Sequence, residues 1–386
     1  MQTQRHTYPR FTFRPEDLLS REPIVLDLQN AVQEIQGRII LITGAAGTIG
    51  SELAVQICAF APAKVILIDQ AETALYELDY VLKQQFPQTD ISSHVASITD
   101  ALRMAELFSR TDIHIIFHTA AYKHVPFMER HPYEAIKTNI FGTEILADLA
   151  VSYRVEKFIY ISTDKAIRPA SVMGATKRFA ELYLQYLSHE YPGQTQFIIT
   201  RFGNVLGSNG SFLILFAQQI RAGGPVTVTH PQAERYMMTV TEACQLVLQA
   251  AATSDGSEIL SFDMGKQVRI VDVAQKMIRL AGLVPGTDIQ ISFTGLRPGE
   301  KLTEELNDDE SETTPFGQLR TVSFPDPPEQ CMRHAMSALQ KALDSCQADQ
   351  MVGILKMLIP EYISANSPFE RIDCILAGEQ VPTANS

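Results

Sequence analysis

The stretch Gly44-Ala45-Ala46-Gly47-Thr48-Ile49-Gly50 constrains this chain more than any other. It follows directly on Ile39-Ile40-Leu41-Ile42-Thr43, a continuous β-branched and aliphatic run of the kind that forms a strand buried on both faces. It opens a helical stretch, Ser51 to Phe60, with Leu53, Ala54, Ile57 and Cys58 on one face. Glycines between a buried strand and a helix let the backbone approach a pyrophosphate, whose charge is met by free N–H groups and the helix N-terminal dipole. The spacing is G-x-x-G-x-x-G rather than G-x-G-x-x-G, and a glycine triplet alone is a weak sign. Asp69 strengthens it. It ends a second strand, 19 residues past Gly50, where a carboxylate would meet the adenosine ribose hydroxyls. Gly44, Gly47, Thr48, Ile49, Gly50 and Asp69 are therefore the expected cofactor-binding set. Ser97 and Ile98, after the third strand, and Ala120 and Ala121, after the fourth, are positioned to flank the adenine and pyrophosphate. Asp69, Glu72 and Asp79 make the region acidic, with no arginine immediately following. That favours NAD over NADP, because a 2′-phosphate would be repelled.

Further strand-like runs follow at Lys64 to Ile68, Ser92 to Ala96, Ile113 to His118, Lys157 to Ser162 and Phe197 to Thr200. Helical stretches separate several of them, among them Phe141 to Tyr153 with Ile145, Leu146 and Leu149 on one side. This alternation predicts an α/β fold, a Rossmann-type doubly wound parallel sheet covered on both faces. At 386 residues the chain has room for about two or three domains, or one large α/β unit with an appendage. Residues 1–36 read as an N-terminal extension and 37–205 as the NAD-binding domain. After 205, Pro225, Pro231, Pro285 and Pro298 interrupt the pattern, and shorter helices intervene at Thr241 to Ala252 and Ile270 to Ala281. Residues 206–386 therefore read mainly as a smaller, mixed α/β substrate-binding lobe with C-terminal helices. Segments around 236–270 return to the first domain. Asn307 to Thr314 reads as a solvated acidic loop, and the last ~15 residues as a frayed tail.

Composition excludes several classes. With 45% hydrophobic and 20% charged residues the chain can bury a core and is not globally disordered. A formal charge of −12 with no basic stripe speaks against a nucleic-acid partner. No apolar run approaches the ~18–20 residues of a membrane span, and Met1 to Arg14 lacks the apolar core of a secretory signal. Cys58, Cys244, Cys331, Cys346 and Cys374 are scattered without a CxxC pair. With no H-E-x-x-H spacing either, neither a disulfide scaffold nor a metal site is expected, and a cytoplasmic location fits.

The fifth strand ends in Ser162-Thr163-Asp164-Lys165, and Met173-Gly174-Ala175-Thr176-Lys177 opens a helix eight residues after Lys165. In a doubly wound sheet the carboxyl ends of the strands line the ligand crevice. Thr163, Asp164 and Lys165 offer a hydroxyl, an acid and an amine there, and Lys177 lies one helical turn beyond Met173 on the same face.

On these blocks the chain resembles the extended short-chain dehydrogenase/reductase superfamily. More narrowly it is similar to the nucleotide-sugar 4,6-dehydratases, and most of all to the UDP-N-acetylglucosamine 4,6-dehydratases of bacterial polysaccharide biosynthesis. The resemblance runs from about Arg14 to Tyr362. Besides the glycine motif and Ser162 to Lys177 it rests on Ala120-Ala121-Tyr122-Lys123-His124-Val125-Pro126, Thr138-Asn139-Ile140-Phe141-Gly142-Thr143, Arg201-Phe202-Gly203-Asn204-Val205-Leu206-Gly207-Ser208 and Leu296-Arg297-Pro298-Gly299-Glu300-Lys301. The superfamily's usual catalytic pair is Tyr-x-x-x-Lys, and here Met173 stands at the tyrosine position. A thioether cannot take a proton. The chain therefore resembles the Met-containing subgroup, which keeps the configuration at C5. Larger members of that subgroup carry an N-terminal membrane portion, and Arg14 to Asp27 looks like their linker into the catalytic region. The chain is then either a soluble member or an excised catalytic region.

The resemblance implies a mechanism. NAD-dependent oxidation at C4 makes the C5 proton acidic, water leaves across C5–C6, and hydride returns to C6. The product is UDP-2-acetamido-2,6-dideoxy-α-D-xylo-hexos-4-ulose. Thr163, assisted by Lys177, would serve the C4 hydroxyl, Lys165 would be the C5 base, and Asp164 would be the acid for the departing C6 hydroxyl. Lys177 would also bond the nicotinamide ribose, and Asn139 belongs to the cofactor-binding set. On the substrate side, Arg235 and Arg297 are expected to fork the diphosphate. Asn204 is expected at the diphosphate or sugar, Glu300 at the uridine ribose, Ser211 at the nucleotide, and Lys123 and His124 at the sugar. A homo-oligomer and a downstream aminotransferase are the implied partners. The competing readings are a C4 epimerase, a dehydratase of another sugar nucleotide, and a catalytically silent NAD-binding sensor. An epimerase has no need of Asp164 and Lys165, so the pair favours dehydration.

Overall fold

The computed structural model describes residues 14–19, 21–22, 24, 26–256, 258–305, 312–313, 319–322 and 329–378. Residues 1–13 of the extension, the acidic loop apart from Glu312 and Thr313, and the last residues of the expected tail lie outside these. A short helix in the extension, α1 (Gln29–Ile35), precedes the alternating core. There β1 (Ile39–Thr43), α2 (Thr48–Ala59), β2 (Lys64–Asp69), α3 (Glu72–Gln85), β3 (Asp90–Val95), α4 (Ala101–Arg110) and β4 (Ile115–His118) follow one another. Two short helices, α5 (Val125–Met128) and α6 (Pro132–Ile136), run into a π-helical turn (Lys137–Phe141) and then α7 (Gly142–Ser152). The site region comprises β5 (Lys157–Ile161), a 3-10 turn (Asp164–Ala166), α8 (Val172–Glu190) and β6 (Gln196–Arg201).

The elements beyond are shorter: β7 (Asn204–Val205), α9 (Phe212–Arg221), β8 (Val226–Val228), β9 (Glu234–Arg235), β10 (Met237–Met238), α10 (Val240–Thr253), β11 (Glu258–Phe262), β12 (Val268–Arg269), α11 (Ile270–Leu280) and β13 (Ile291–Phe293). The chain closes with β14 (Glu312–Thr313), β15 (Leu319–Val322), α12 (Glu329–Asp344), α13 (Ala348–Leu358) and α14 (Glu370–Ala377).

The main sheet runs β3-β2-β1-β4-β5-β6-β11-β15-β14. The strands from β3 to β11 are parallel, and β15 and β14 add antiparallel. This is the Rossmann order, with its switch point between β1 and β4. The continuous apolar runs follow from burial on both sides. Leu41, Ile66, Ile116, Phe158 and Ile199 point into a core shared with α4, α7 and α8. Their neighbours Ile40, Ile42, Leu67, Phe117, Ile159 and Ile198 point into a second core shared with α1, α2 and α10.

Chain order and space part company after residue 205. The core of the smaller lobe is built from α9, α11, β8 and β13, through residues such as Phe216, Val226 and Met277. The C-terminal helices do not belong to it. Met332, Leu339, Met351 and Leu355 pack into the core beside α8. The expected tail is also helical in part, since α14 buries Ile372. The extension is tied down as well. Leu18 and Leu19 join the lobe core, and Arg21 Nη1 reaches Glu242 Oε1 at 2.6 Å. Glu242 closes the capping box of α10 with Thr239, so the extension is anchored to a helix start of the main domain.

Candidate functional site

The crevice opens at the carboxyl ends of β1 and β4, where the connections after these paired strands part. Its wall takes Gly44, Gly47 and Asp69 from the first βαβ unit, Ser97 and Ile98 from the loop after β3, and Ala120 and Ala121 from the loop after β4. Gln70, Tyr122 and Thr138, which were not among the expected cofactor residues, line it too. Glycine is required for close approach at two points. A Cβ on Gly44 would lie 2.6 Å from Ala120 Cα, and one on Gly50 would lie 2.3 Å from the Gly44 carbonyl oxygen. Asp69 fixes the turn from below, accepting from the Ala46 N–H and the Ala71 N–H, each at 2.9 Å. A backbone-walled crevice at a helix N-terminus, with a carboxylate at its rim, suits a dinucleotide.

Five expected cofactor residues lie outside that wall, Lys177 among them. The Thr48 hydroxyl accepts from the Asn209 N–H at 3.0 Å and ties the helix start to the loop before α9. Ile49 packs against the core that α2 shares with α10. Gly50 acts through the approach just described. The Asn139 amide is fully engaged, accepting from Tyr122 N–H at 2.8 Å and donating to the Tyr122 carbonyl and the Thr176 hydroxyl, each at 3.0 Å. Asn139 therefore braces the crevice wall against α8, from a π-helical turn of the kind that often marks functional sites.

The Thr163-Asp164-Lys165 cluster sits at the end of β5. The Thr163 hydroxyl donates to Asp164 Oδ1 at 2.9 Å. Lys165 Nζ donates to the same oxygen at 2.9 Å and to Asn204 Oδ1 at 3.0 Å. Asp164 is fully buried, and its Oδ2 has no partner among the described residues. Burial acts to lower the Lys165 pKa, but Asp164 and Glu304 outweigh it and hold the amine charged. Met173, buried at the start of α8, presents no titratable group. Ser171 caps that helix, accepting from the Gly174 N–H at 3.1 Å, and Glu129 Oε1 accepts from the Val172 N–H at 2.6 Å.

Lys177 lies one turn on, 6% exposed. Burial pushes its pKa down to about 7, against an upward pull from Glu181. His118, at the end of β4, is a fully buried neighbour of this lysine that the sequence did not reveal. Its Nε2 is 2.9 Å from the Thr143 hydroxyl, which itself donates to the Asn139 carbonyl. Nε2 must therefore carry the proton, and Nδ1 accepts from the Thr43 hydroxyl at 2.7 Å. Burial, then the Lys177 charge, lowers its pKa to about 3, so the ring is neutral.

On the substrate side the expected residues are held by their neighbours in different ways. The Arg235 guanidinium donates to the carbonyls of Glu234, Leu302 and Lys301 at 2.6, 2.9 and 2.8 Å. Three of its five N–H groups are thus engaged by the backbone of residues 234, 301 and 302. Arg297 has a side chain 58% exposed and pairs with Glu300 Oε1 at 2.7 Å; in this state Glu300 holds Arg297. The Ser211 hydroxyl at the head of α9 is buried and has no partner among the described residues. Lys123 and His124 are exposed after β4, with the His124 ring against Gly210. Glu304, missed in the sequence, stands 3.9 Å from Lys165 Nζ and is 4% exposed. Only its place in a Glu-Glu pair after the Leu296 to Lys301 block could have drawn attention to it.

Among the described residues no group of His, Cys, Asp and Glu could hold a metal ion, and no helix is long and apolar enough to cross a membrane.

Comparison with known proteins agrees with the fold. The capsular polysaccharide biosynthesis protein CapD of Staphylococcus aureus is 47% identical over 292 residues, covering 75% of this chain and 48% of CapD. The chain thus spans about half the length of that relative. A UDP-glucose 4-epimerase of Rickettsia massiliae is 30% identical over 274 residues, covering 70% of this chain and 77% of the epimerase. Among solved structures, Pen from Bacillus thuringiensis superposes with a TM-score of 0.68 at 31% identity, covering 76% of this chain and 90% of Pen. Residues 40–323 match the family described as polysaccharide biosynthesis protein, and the chain belongs to that family.

Proposed function

We propose that this chain is an NAD-dependent nucleotide-sugar 4,6-dehydratase acting on UDP-N-acetylglucosamine with retention at C5. The observation that carries the reading is the hydrogen-bonded Asp164–Lys165 pair at the end of β5, 2.9 Å apart, with Met173 where an oxidoreductase would keep a tyrosine. Gly44, Gly47, Asp69, Ser97, Ile98, Ala120 and Ala121 hold the dinucleotide, and Lys177 its nicotinamide ribose. Bound NAD supplies the hydride acceptor for C4 and the hydride donor for C6.

The chain's own residues manage the protons. Thr163 receives the C4 hydroxyl proton, and Lys177, with a pKa near 7, is partly neutral and takes it on. Elimination needs an acid and a base together. Both arise when one proton moves from Lys165 Nζ to Asp164 Oδ1, giving a neutral amine and a carboxylic acid with no proton gained or lost. Lys165 then removes the C5 proton, while Asp164 protonates the C6 hydroxyl as its C–O bond breaks and water leaves. Elimination leaves the pair as ammonium and carboxylate. As hydride returns to C6, Lys165 gives a proton to C5, and the proton that Lys177 took from the C4 hydroxyl goes back to the pair, which ends as the ion pair of the resting structure. Arg297, Asn204, Ser211 and Glu300 bind the nucleotide, and Lys123 and His124 face the sugar.

The reading is tested by incubating the protein with NAD and UDP-N-acetylglucosamine and weighing the product. A sugar nucleotide lighter by one water is expected. Asp164→Asn should yield only the C4-oxidised sugar. Full turnover by that variant would remove Asp164 from the acid role, and unchanged substrate with the wild type would overturn the assignment.

A further inference from the structure

A second buried carboxylate shares Lys165 with Asp164. Glu304 Oε1 stands 3.9 Å from Lys165 Nζ and 3.9 Å from Arg235 Nε. Both distances allow a charge interaction but are too long for a hydrogen bond. Glu304 Oε2 is buried and has no partner among the described residues. A buried carboxylate oxygen without a hydrogen-bond partner costs stability and calls for an explanation.

Its setting is deliberate in geometry. Arg235, on β9, spends its guanidinium on the carbonyls of Lys301 and Leu302, which fixes the backbone just before Glu304. Lys301 Nζ donates to the Ile167 carbonyl at 3.1 Å, and Arg168 pairs with Glu305 at 2.9 Å. The 301–305 segment is thereby stitched to the 164–168 segment on both sides of the Lys165–Glu304 contact. The charged groups facing Glu304 are Asp164 and Lys165 from the 3-10 turn, Arg235 from β9, and Lys301 from its own segment.

We propose that Glu304 is a positioning residue that keeps the last proton on the Asp164–Lys165 pair. The inference rests on the dehydratase reading above. That mechanism needs one proton on the pair, and the pair fails if the proton escapes to solvent and leaves a carboxylate beside a neutral amine. An ionised Glu304 opposes that loss electrostatically, because it adds negative charge beside both members. Burial raises the Glu304 pKa and Asp164 adds to that, against the pull of Lys165, Arg235 and Lys301, so Glu304 carries this charge on the alkaline side, where the loss would occur. The direction of the Lys165 shift agrees, since Glu304 is one of the groups that raise it.

The test compares wild type, Glu304→Gln and Glu304→Asp. In the first arm kcat and KM are read against pH. Glu304→Gln keeps the volume and removes the charge, so its alkaline limb should move to lower pH by about 1–3 units, the usual effect of a charge at this range. KM should stay within about threefold, and Glu304→Asp should move the limb back towards the wild type. In the second arm, trace acylation of lysines across pH, with Lys165 quantified by peptide mass spectrometry, reads the same proton without turnover. Earlier onset of Lys165 labelling in Glu304→Gln supports the proposal. Superimposed pH profiles and superimposed labelling curves overturn it, even if kcat falls. If wild type turns nothing over while labelling shifts as expected, the dehydratase reading fails and the role of Glu304 stands.

Discussion

Lys177 Nζ stands 4.2 Å from the centre of the Tyr160 ring, inside the core between α8 and β5. A desolvated cation over an aromatic face gains about 2 kcal/mol, yet burial dominates and lowers the lysine's pKa to about 7 from an ordinary 10.5. The unfolded chain therefore binds more protons than the folded one between those values. Stability contributed by this group rises with pH across that window and is least at its acid end. Lys177→Met removes the titration. Urea midpoints measured from neutral to alkaline pH should show wild type gaining on the variant as pH rises; parallel curves would show that Lys177 is not depressed.

Beneath the site, Glu181 and Arg201 are both fully buried, and Arg201 Nε meets Glu181 Oε1 at 2.7 Å. Ser162 donates to the same oxygen at 2.6 Å. Removing one partner of such a pair leaves an uncompensated buried charge, so Glu181→Ala should cost about 3–5 kcal/mol of unfolding free energy. Equilibrium denaturation measures it, and a loss below about 1 kcal/mol would show that water reaches Arg201.

Asp69→Ala removes the acceptor for the Ala46 and Ala71 N–H groups along with the carboxylate at the crevice rim. Hydrogen bonds to a charged group are worth about 1.5–3 kcal/mol, so NAD affinity by calorimetry should fall by at least tenfold. Unchanged affinity would refute the ribose assignment.

Met173 is 3% exposed and cannot transfer a proton. Met173→Leu preserves volume, and such swaps cost under about 1.5 kcal/mol. The variant should keep kcat within about tenfold. A much larger loss would mean that the thioether itself acts on the substrate.

The sheet was legible because its strands are buried on both faces, so their apolar runs stand out. The glycine motif and Asp69 were legible because the chemistry of a dinucleotide fixes them locally. Helix α8 was harder: it is buried on nearly every side and shows little polar face. The packing of α12 and α13 against α8, and of Leu18 and Leu19 in the smaller lobe, depends on contacts distant in sequence. The same holds at the site. Thr163, Asp164 and Lys165 are neighbours in the chain and could be read together, whereas Glu304 reaches Lys165 only through the fold. The bonds from Arg235 to the carbonyls of residues 301 and 302 were hidden for the same reason.

The central claim is that the Asp164–Lys165 pair eliminates water across C5–C6 with retention. Proton NMR of the protein with NAD and UDP-N-acetylglucosamine in D₂O tests it most directly. The account predicts a new C6 methyl signal, deuterium at C5, and couplings that show the C5 configuration unchanged. A product that keeps its C6 hydroxyl and differs only at C4 would contradict it and make the chain an epimerase. Inversion at C5 would contradict the part of the account that rests on Met173.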